Sequence, residues 1–223
     1  MSFNFKKTLI IAPHLDDETI AVGGTIKKLS KAKMQVQVVI VGGHLPPLYK
    51  KKSYLITKNE SEKALKILGV KKVYYLDLPA LEFHKNSYQI INSKINAIMN
   101  KLNPTTVFIP FPDRHIDHRT IFDCAMVNTR PNKKNHPKFV LSYETLSETH
   151  WNAPYIEPNF NPDFFVNIDK TIMDKIKAVK CYQSQIKNNQ SRSIESIEAL
   201  ARFRGSQNGC QYAEAFKLIR GIV

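Results

Sequence analysis

The chain has 223 residues, and its 33 Lys and Arg against 19 Asp and Glu give a formal net charge of +14. A chain of this length buries roughly 70% or more of its unfolded surface without help from cross-links. The three cysteines, Cys124, Cys181 and Cys210, are far apart and form no C-x-x-C pair, which excludes a disulfide framework and a structural zinc cluster.

The opening "MSFNFKK" has no apolar signal-peptide core, and runs such as "VQVVIVGG" are too short to span a bilayer. The expectation is a soluble, cytoplasmic protein with no integral membrane segment. A charge of +14 raises nucleic acid or anionic lipid as partners. Its lysines fall mainly on helix faces and loops ("TIKKLSKAK", "YKKKSY", "EKALKILGVKK"), with no arginine-rich arm, aromatic RNA-binding strand or zinc finger beside them. Nucleic acid is therefore not expected, and an anionic small-molecule or lipid-linked substrate is favoured over it.

In chain order, "KTLIIAP" reads as a buried strand and "DDETIAVGGTIKKLSKA" as a helix, followed by the strand "QVQVVIV" and the helix "NESEKALKILG" ended by Gly69. "KVYYLDL" is a strand, "YQIINSKINAIMNKLN" a helix stopped by Pro104, and "TTVFIP" a strand; "HIDHRTIFDCAMVN" is helical and "KFVLSYE" strand-like. The rhythm then breaks: "NAPYIEPNFNPDF" is an irregular loop, "FFVNID" a further strand, and "KTIMDKIKAVKCYQSQI" and "SIESIEALARFRG" two helices. Such alternation predicts an α/β fold, a Rossmann-like, mostly parallel sheet with helices on both faces, in a single domain over residues 1–223.

In open sheets of this kind, ligand sites form beyond the carboxyl ends of the strands. "PHLDDE" follows the first strand, and "FPDRHIDH" follows "TTVFIP", so both segments emerge on one rim. His14 and Asp17 are three apart across a strand-to-helix turn and can face one ion, and "HIDH" offers His115, Asp117 and His118 for the rest. The simpler alternative is that "DDE" caps a helix, with Glu18 assisting the helix N-terminus. His44 follows "VVIVGG" at the same rim as a candidate substrate contact. Gly23 and Gly24, each costing about 1 kcal/mol within a helix, imply close approach of that helix to the sheet. Capping and surface pairing account for Arg204, Gly205 and Glu214, and Trp151 and Tyr155 read as hydrophobic anchors of their loop, with stacking on a sugar ring as the alternative.

"APHLDDETIAVGGTI" and "PDRHIDH" resemble the H-x-D-D-E and H-x-x-H signatures of the PIG-L/LmbE family of zinc-dependent N-acetylglucosaminyl deacetylases. The similarity extends to "ESEKALKILGVKKVYYLDLP", "YQSQI" and "ARFRGSQNGCQYAEAF", covering nearly the whole chain in the family's order. The resemblance implies that His14, Asp17 and His118 hold one zinc ion, with Fe2+ as the alternative metal. Asp16 would act as general base, and a protonated His115, oriented by Asp117, would stabilise the reacting group. It implies hydrolysis of the N-acetyl group of a free, nucleotide-linked or lipid-linked amino sugar, and leaves oligomeric state open. Leu15 stands where many members have proline, and "ITKNESEK" lacks the arginine that members often carry ahead of the second helix, so no substrate anchor is assigned. Two competing readings are a non-haem iron enzyme using the same two histidines and carboxylate, and a non-catalytic basic binding protein.

Overall fold

The structure, a computed structural model, describes residues 5–85, 88–132, 135–153, 155–188 and 190–223. Seven strands form one sheet in the order β3-β2-β1-β4-β5-β7-β6. They are β1 (Lys7–Ala12), β2 (Gln35–Gly43), β3 (Lys72–Pro79), β4 (Thr106–Pro110), β5 (Phe139–Tyr143), β6 (Phe164–Asn167) and β7 (Ala213–Gly221). The first five are mutually parallel, and β7 runs antiparallel between β5 and β6. The helices are α1 (Asp17–Lys31), α2 (Lys51–Leu68), α3 (Tyr88–Leu102), α4 (Ile116–Asn128), the short α5 (Leu146–Thr149), α6 (Ile172–Val179) and α7 (Ile194–Ser206). The expected mostly parallel α/β sheet, covered on both sides, is the fold observed. Among the described residues no helix is long and apolar enough to cross a membrane.

Two-sided burial follows from the alternation of side chains along a strand. In β1, Ile10 and Ala12 join the core beneath α1 and α2, whereas Leu9 and Ile11 join the core beneath α3 and α4. Each of Leu9, Ile10 and Ile11 is fully buried, which stabilises the fold by roughly 1.5–3 kcal/mol per side chain. A third cluster, Ile20 with Ile168, Ile172, Ile176, Val179, Ile197 and Ala201, fastens α6 and α7 to α1.

Three elements differ from the sequence expectation. Helix α2 begins at Lys51, eight residues before the expected start, because its buried stripe is partly polar: Tyr54, Thr57, Glu60, Ser61, Ala64, Leu65 and Leu68. Helix α6 ends at Val179, short of the expected Ile186. Beyond it the chain peels away so that the Tyr182 hydroxyl can donate to Glu18 (2.8 Å) and the Ser184 hydroxyl to Glu60 (2.5 Å). Strand β7, unforeseen, inserts between β5 and β6, a long-range pairing with no local signature in "AEAFKLIRG".

The residues read as surface pairs are buried. Glu214, on β7, accepts from the backbone N–H groups of Gly24 (2.8 Å) and Thr25 (2.7 Å) and from the Lys175 ammonium (2.6 Å). Arg204 donates from Nε and Nη2 to the two carboxylate oxygens of Glu144, at 2.9 and 2.7 Å. Gly205 does not end its helix, which runs to Ser206; a Cβ there would sit 2.6 Å from the Gln211 backbone. Gly23 and Gly24 admit neighbouring side chains more than the sheet: added Cβ atoms would stand 3.2 Å from Lys175 Cγ and 2.8 Å from Ile168. Trp151 is 60% exposed and Tyr155 wholly so, and neither anchors its loop.

Ile168 would have to move its Cβ as well as its tip to admit a methyl at residue 24. Gly24→Ala should therefore lower stability by about 1–2 kcal/mol, despite a helix-propensity gain of about 1 kcal/mol. Urea denaturation checks this, and a rise in midpoint would contradict the packing account.

Candidate active site

The chain runs outward from β1 to β2 to β3 and then returns to place β4 against the other side of β1. Thr8, Leu9 and Ile10 pair with Thr106, Val107 and Phe108. This reversal of strand order opens a crevice beyond the carboxyl ends of β1 and β4. The β1–α1 turn and the β4–α4 loop both empty into it.

Asp16 occupies the N-cap position of α1 at φ 121°, a region sparsely used by L-residues, and makes no side-chain capping bond. A conformation of this kind costs on the order of 1–3 kcal/mol and concentrates at functional sites. Instead of capping, the turn directs carboxylates into the crevice. Asp17 Oδ2 accepts from the His14 backbone N–H (3.0 Å) and lies 3.3 Å from His14 Nδ1 and 3.4 Å from His118 Nε2. The capping alternative does not account for this arrangement.

The two histidines from the distant loops are supported from behind. His14 Nε2 lies 2.8 Å from Asp117 Oδ2, which also accepts from the Leu81 N–H at 2.6 Å. His118 Nδ1 lies 3.0 Å from Asp113 Oδ2, which also accepts from Thr149 Oγ1 at 2.9 Å. Each carboxylate fixes one ring nitrogen and turns the other towards Asp17, the arrangement in which outer carboxylates orient ligating imidazoles. The ring centroids of His14 and His118 are 5.5 Å apart.

His115 stands over both, with ring centroids 4.6 Å from His14 and 4.9 Å from His118. Asp117 holds it, but not through its carboxylate, which is committed to His14. Instead, the Asp117 backbone N–H donates to His115 Nδ1 at 3.2 Å, and the His115 N–H donates to Asp113 at 3.0 Å. Burial, with the neighbouring His14 and His118, lowers the His115 pKa to about 4. The ring is thus neutral near pH 7, and accepting at Nδ1 keeps its proton on Nε2.

Two residues without an assigned role in the sequence complete the cluster. Asp113 is buried and touches His118, Thr149 and the His115 backbone. Arg192 crosses from the far end of the chain to donate from Nη1 to Asp16 Oδ2 (3.0 Å) and from Nε to Ser147 Oγ (3.0 Å). Asp113 was visible as an acid within "PDRHIDH"; nothing local in "QSRSIES" distinguishes Arg192. Glu18 does not face the crevice chemistry but is held by Tyr182 Oη and Thr19 Oγ1, each at 2.8 Å.

Four carboxylates, Asp16, Asp17, Asp113 and Asp117, therefore surround His14 and His118. Burial alone would lower the His118 pKa, but Asp17 and Asp113 outweigh it and raise it to about 10. The His14 pKa is raised too, against its burial, by Asp117 and Asp17. Asp17 is held well below the carboxylate range, against the penalty of its own burial, by His118 and His14. Burial pushes Asp16 up to about 6, with the Arg192 guanidinium restraining the rise. Such a cluster attracts positive charge strongly.

The donor set fits a divalent cation. Asp16 Oδ1, Asp17 Oδ1 and His118 Nε2 are buried and find no hydrogen-bond partner among the described residues. His14, His115 and His118 each bring a ring nitrogen within 4.8 Å of the others'. With Asp17 this gives two overlapping sets, three imidazoles or His14, Asp17 and His118; nitrogen and carboxylate donors suit zinc and other first-row metals. An open pocket bordered by His14, Asp16, His44, Tyr49, His115 and Arg192 leads to the cluster.

Sequence and structure comparisons give the family. Residues 9–128 match the PIG-L family, described as GlcNAc-PI de-N-acetylase, and the chain belongs to that family. It is 27% identical over 238 residues to the diacetylchitobiose deacetylase of Thermococcus kodakarensis, covering 97% of this chain and 84% of that protein. It is 26% identical over 197 residues to a probable N-acetyl-alpha-D-glucosaminyl L-malate deacetylase 2 of Bacillus cereus, covering 81% and 84% of the two chains. The fold superposes with a TM-score of 0.78 and 27% identity on the N,N'-diacetylchitobiose deacetylase from Pyrococcus horikoshii, covering 98% of this chain and 85% of that one.

Because the metal-free site holds a proton on His118 up to about pH 10, a cation binding there must displace it. Affinity for zinc should rise on the order of tenfold per pH unit between pH 6 and 9, with proton release on binding. Calorimetry in buffers of different ionisation enthalpy measures this, and pH-independent affinity without proton release would contradict it.

Proposed function

We propose that this chain is a zinc-dependent N-deacetylase that hydrolyses the acetamide of an N-acetylated amino sugar or glycoconjugate. The observation that carries the reading is the convergence of His14 Nδ1, Asp17 Oδ2 and His118 Nε2 beside the strained Asp16. Relatives named for removing acetyl groups from diacetylchitobiose and from N-acetylglucosaminyl malate support the substrate class. The reading includes a single domain and, as the sequence suggests, a cytoplasmic setting.

In this reading His14, Asp17 and His118 hold the ion. When bound, zinc supplies a Lewis acid that polarises an amide carbonyl and makes water acidic enough to ionise near pH 7. Asp16 receives the proton of the attacking water. Arg192 holds one oxygen of that carboxylate, leaving Oδ1 without a hydrogen-bond partner among the described residues. As the carbonyl carbon becomes tetrahedral, the neutral His115 donates its Nε2 proton in a hydrogen bond to the developing oxyanion. It does this as a preorganised neutral donor, so no protonated imidazolium is needed. The C–N bond then breaks, Asp16 passes its proton to the departing amine, and acetate and the free amino sugar leave.

The roles separate experimentally. Asp16→Asn should retain metal and lose on the order of a hundredfold to ten-thousandfold in kcat. His115→Gln should also retain metal and lose about a hundredfold to a thousandfold, whereas His118→Ala should lose the metal. Metal analysis with acetate release over N-acetylated sugars, sugar nucleotides and glycolipids measures all three. Fe(II)-dependent oxygen consumption without acetate would overturn the reading in favour of an iron enzyme. Loss of metal from His115→Gln would instead favour the three-imidazole donor set.

Arg192 lowers the Asp16 pKa from what burial alone would produce. Removing it raises that pKa, so Asp16 is protonated and inactive to higher pH. Arg192→Ala should therefore shift the acidic limb of the kcat profile upward, with metal content unchanged. An unmoved limb would remove Arg192 from this role.

A further inference from the structure

Helix α2 carries a second face, unrelated to its buried stripe. Leu55 is 55% and Ile56 45% exposed, and they lie in a groove between α2 and α6 bordered by Lys52, Lys63, Lys177 and Lys180. In the loop ahead of the helix Leu48 is 53% exposed, and the Tyr49 ring lies 4.4 Å from that of His44. Glu62 follows about two turns beyond Leu55 on the same helix.

Fold stability does not explain this composition. Lys50, Lys51 and Lys52 stand at the N-terminus of α2, where the first turn contains no acid and Lys50 provides no side-chain cap. The helix dipole is positive there and disfavours cations, while exposed leucine and isoleucine gain nothing from water. A feature that departs from several local preferences together points to function. The pattern is aliphatic in the middle and mostly lysine around it; of the two acids on this helix, Glu60 lines the groove but is bonded to Ser184, and Glu62 is the other.

We propose that this face docks on an anionic bilayer surface. Leu55 and Ile56 would enter the boundary between headgroups and acyl chains, while the lysines extend their stems along it and place their ammonium groups among lipid phosphates. A nucleic acid accounts for the lysines but leaves the aliphatic centre pressed against a hydrophilic backbone, with no arginine or aromatic row to stack on bases. A second copy of the chain would bring these lysines against their own kind. Thr57, the neighbour of Ile56 on α2, borders the pocket that leads to His14, so the bound enzyme would present its pocket near the headgroups. That a lipid-linked acetamide is the substrate rests on the deacetylase reading above; the docking does not.

Cosedimentation of the full chain with vesicles of phosphatidylcholine, with and without phosphatidylglycerol, tests the proposal. Binding should require phosphatidylglycerol and weaken with salt. Each of Lys52→Glu and Lys63→Glu should weaken it about fivefold or more, and Leu55→Ser with Ile56→Ser should weaken it at unchanged net charge. Lys101→Glu, on α3 across the sheet, should have a smaller effect. Acetate release from a soluble substrate should be unchanged in these variants, which separates failure of docking from failure of the deacetylase assignment. Absence of binding, equal binding to both vesicles, or indifference to the α2 substitutions would overturn the proposal. So would vesicle-independent binding of an oligonucleotide through the same lysines, or a concentration-dependent dimer abolished by the Leu55 and Ile56 changes.

Discussion

The pairing of β1 with β4 is the constraint on which the site depends, because it sets two loops about a hundred residues apart in sequence against each other. Removing several carboxylates and imidazoles from water is unfavourable unless opposite charges and hydrogen bonds compensate. Here the compensation is reciprocal: Asp113 and Asp117 each hold one histidine, and both histidines approach Asp17. The geometry is imposed by the apolar sheet beneath, where Leu9, Ile10, Ile11, Val107, Phe108 and Ile109 have no exposure at all. A rigid, fully buried base can hold polar groups in an arrangement they would not choose alone.

Much of this was legible in the sequence because it was written locally. The alternation of strands and helices and the position of "HLDDE" and "HIDH" behind apolar strands were sufficient to place His14, Asp17 and His118 on one rim. What was not legible depends on contacts that skip along the chain. Strand β7 has an ordinary sequence, and its place follows only from the gap between β5 and β6. Arg192 lies 176 residues from the carboxylate it touches. Glu214 and Arg204 looked like surface charges because the partners that permit their burial, two backbone amides of α1 and Glu144, are distant in sequence.

The division of labour between Asp117 and His115 is a subtler case. Adjacency in "HIDH" suggested that the acid serves its neighbour. At the start of a helix the side chains of residues two apart diverge while the backbone amide points back to the cap. The Asp117 side chain accordingly reaches His14, and its amide meets His115. One residue thereby orients a candidate ligand through its carboxylate and a candidate donor through its main chain, and it also fixes which nitrogen of His115 bears the proton.

The short helix α5 ties the catalytic rim to the end of the chain. It begins two residues after Glu144, which is clamped by Arg204, and its Ser147 and Thr149 reach Arg192 and Asp113. The last helix is thus a fulcrum for groups that line the reaction centre from the opposite end of the sequence. Loosening it would tilt two supports at once, one behind a histidine and one beside an aspartate, so that damage far from the crevice would be felt first as a loss of alignment and only later as unfolding.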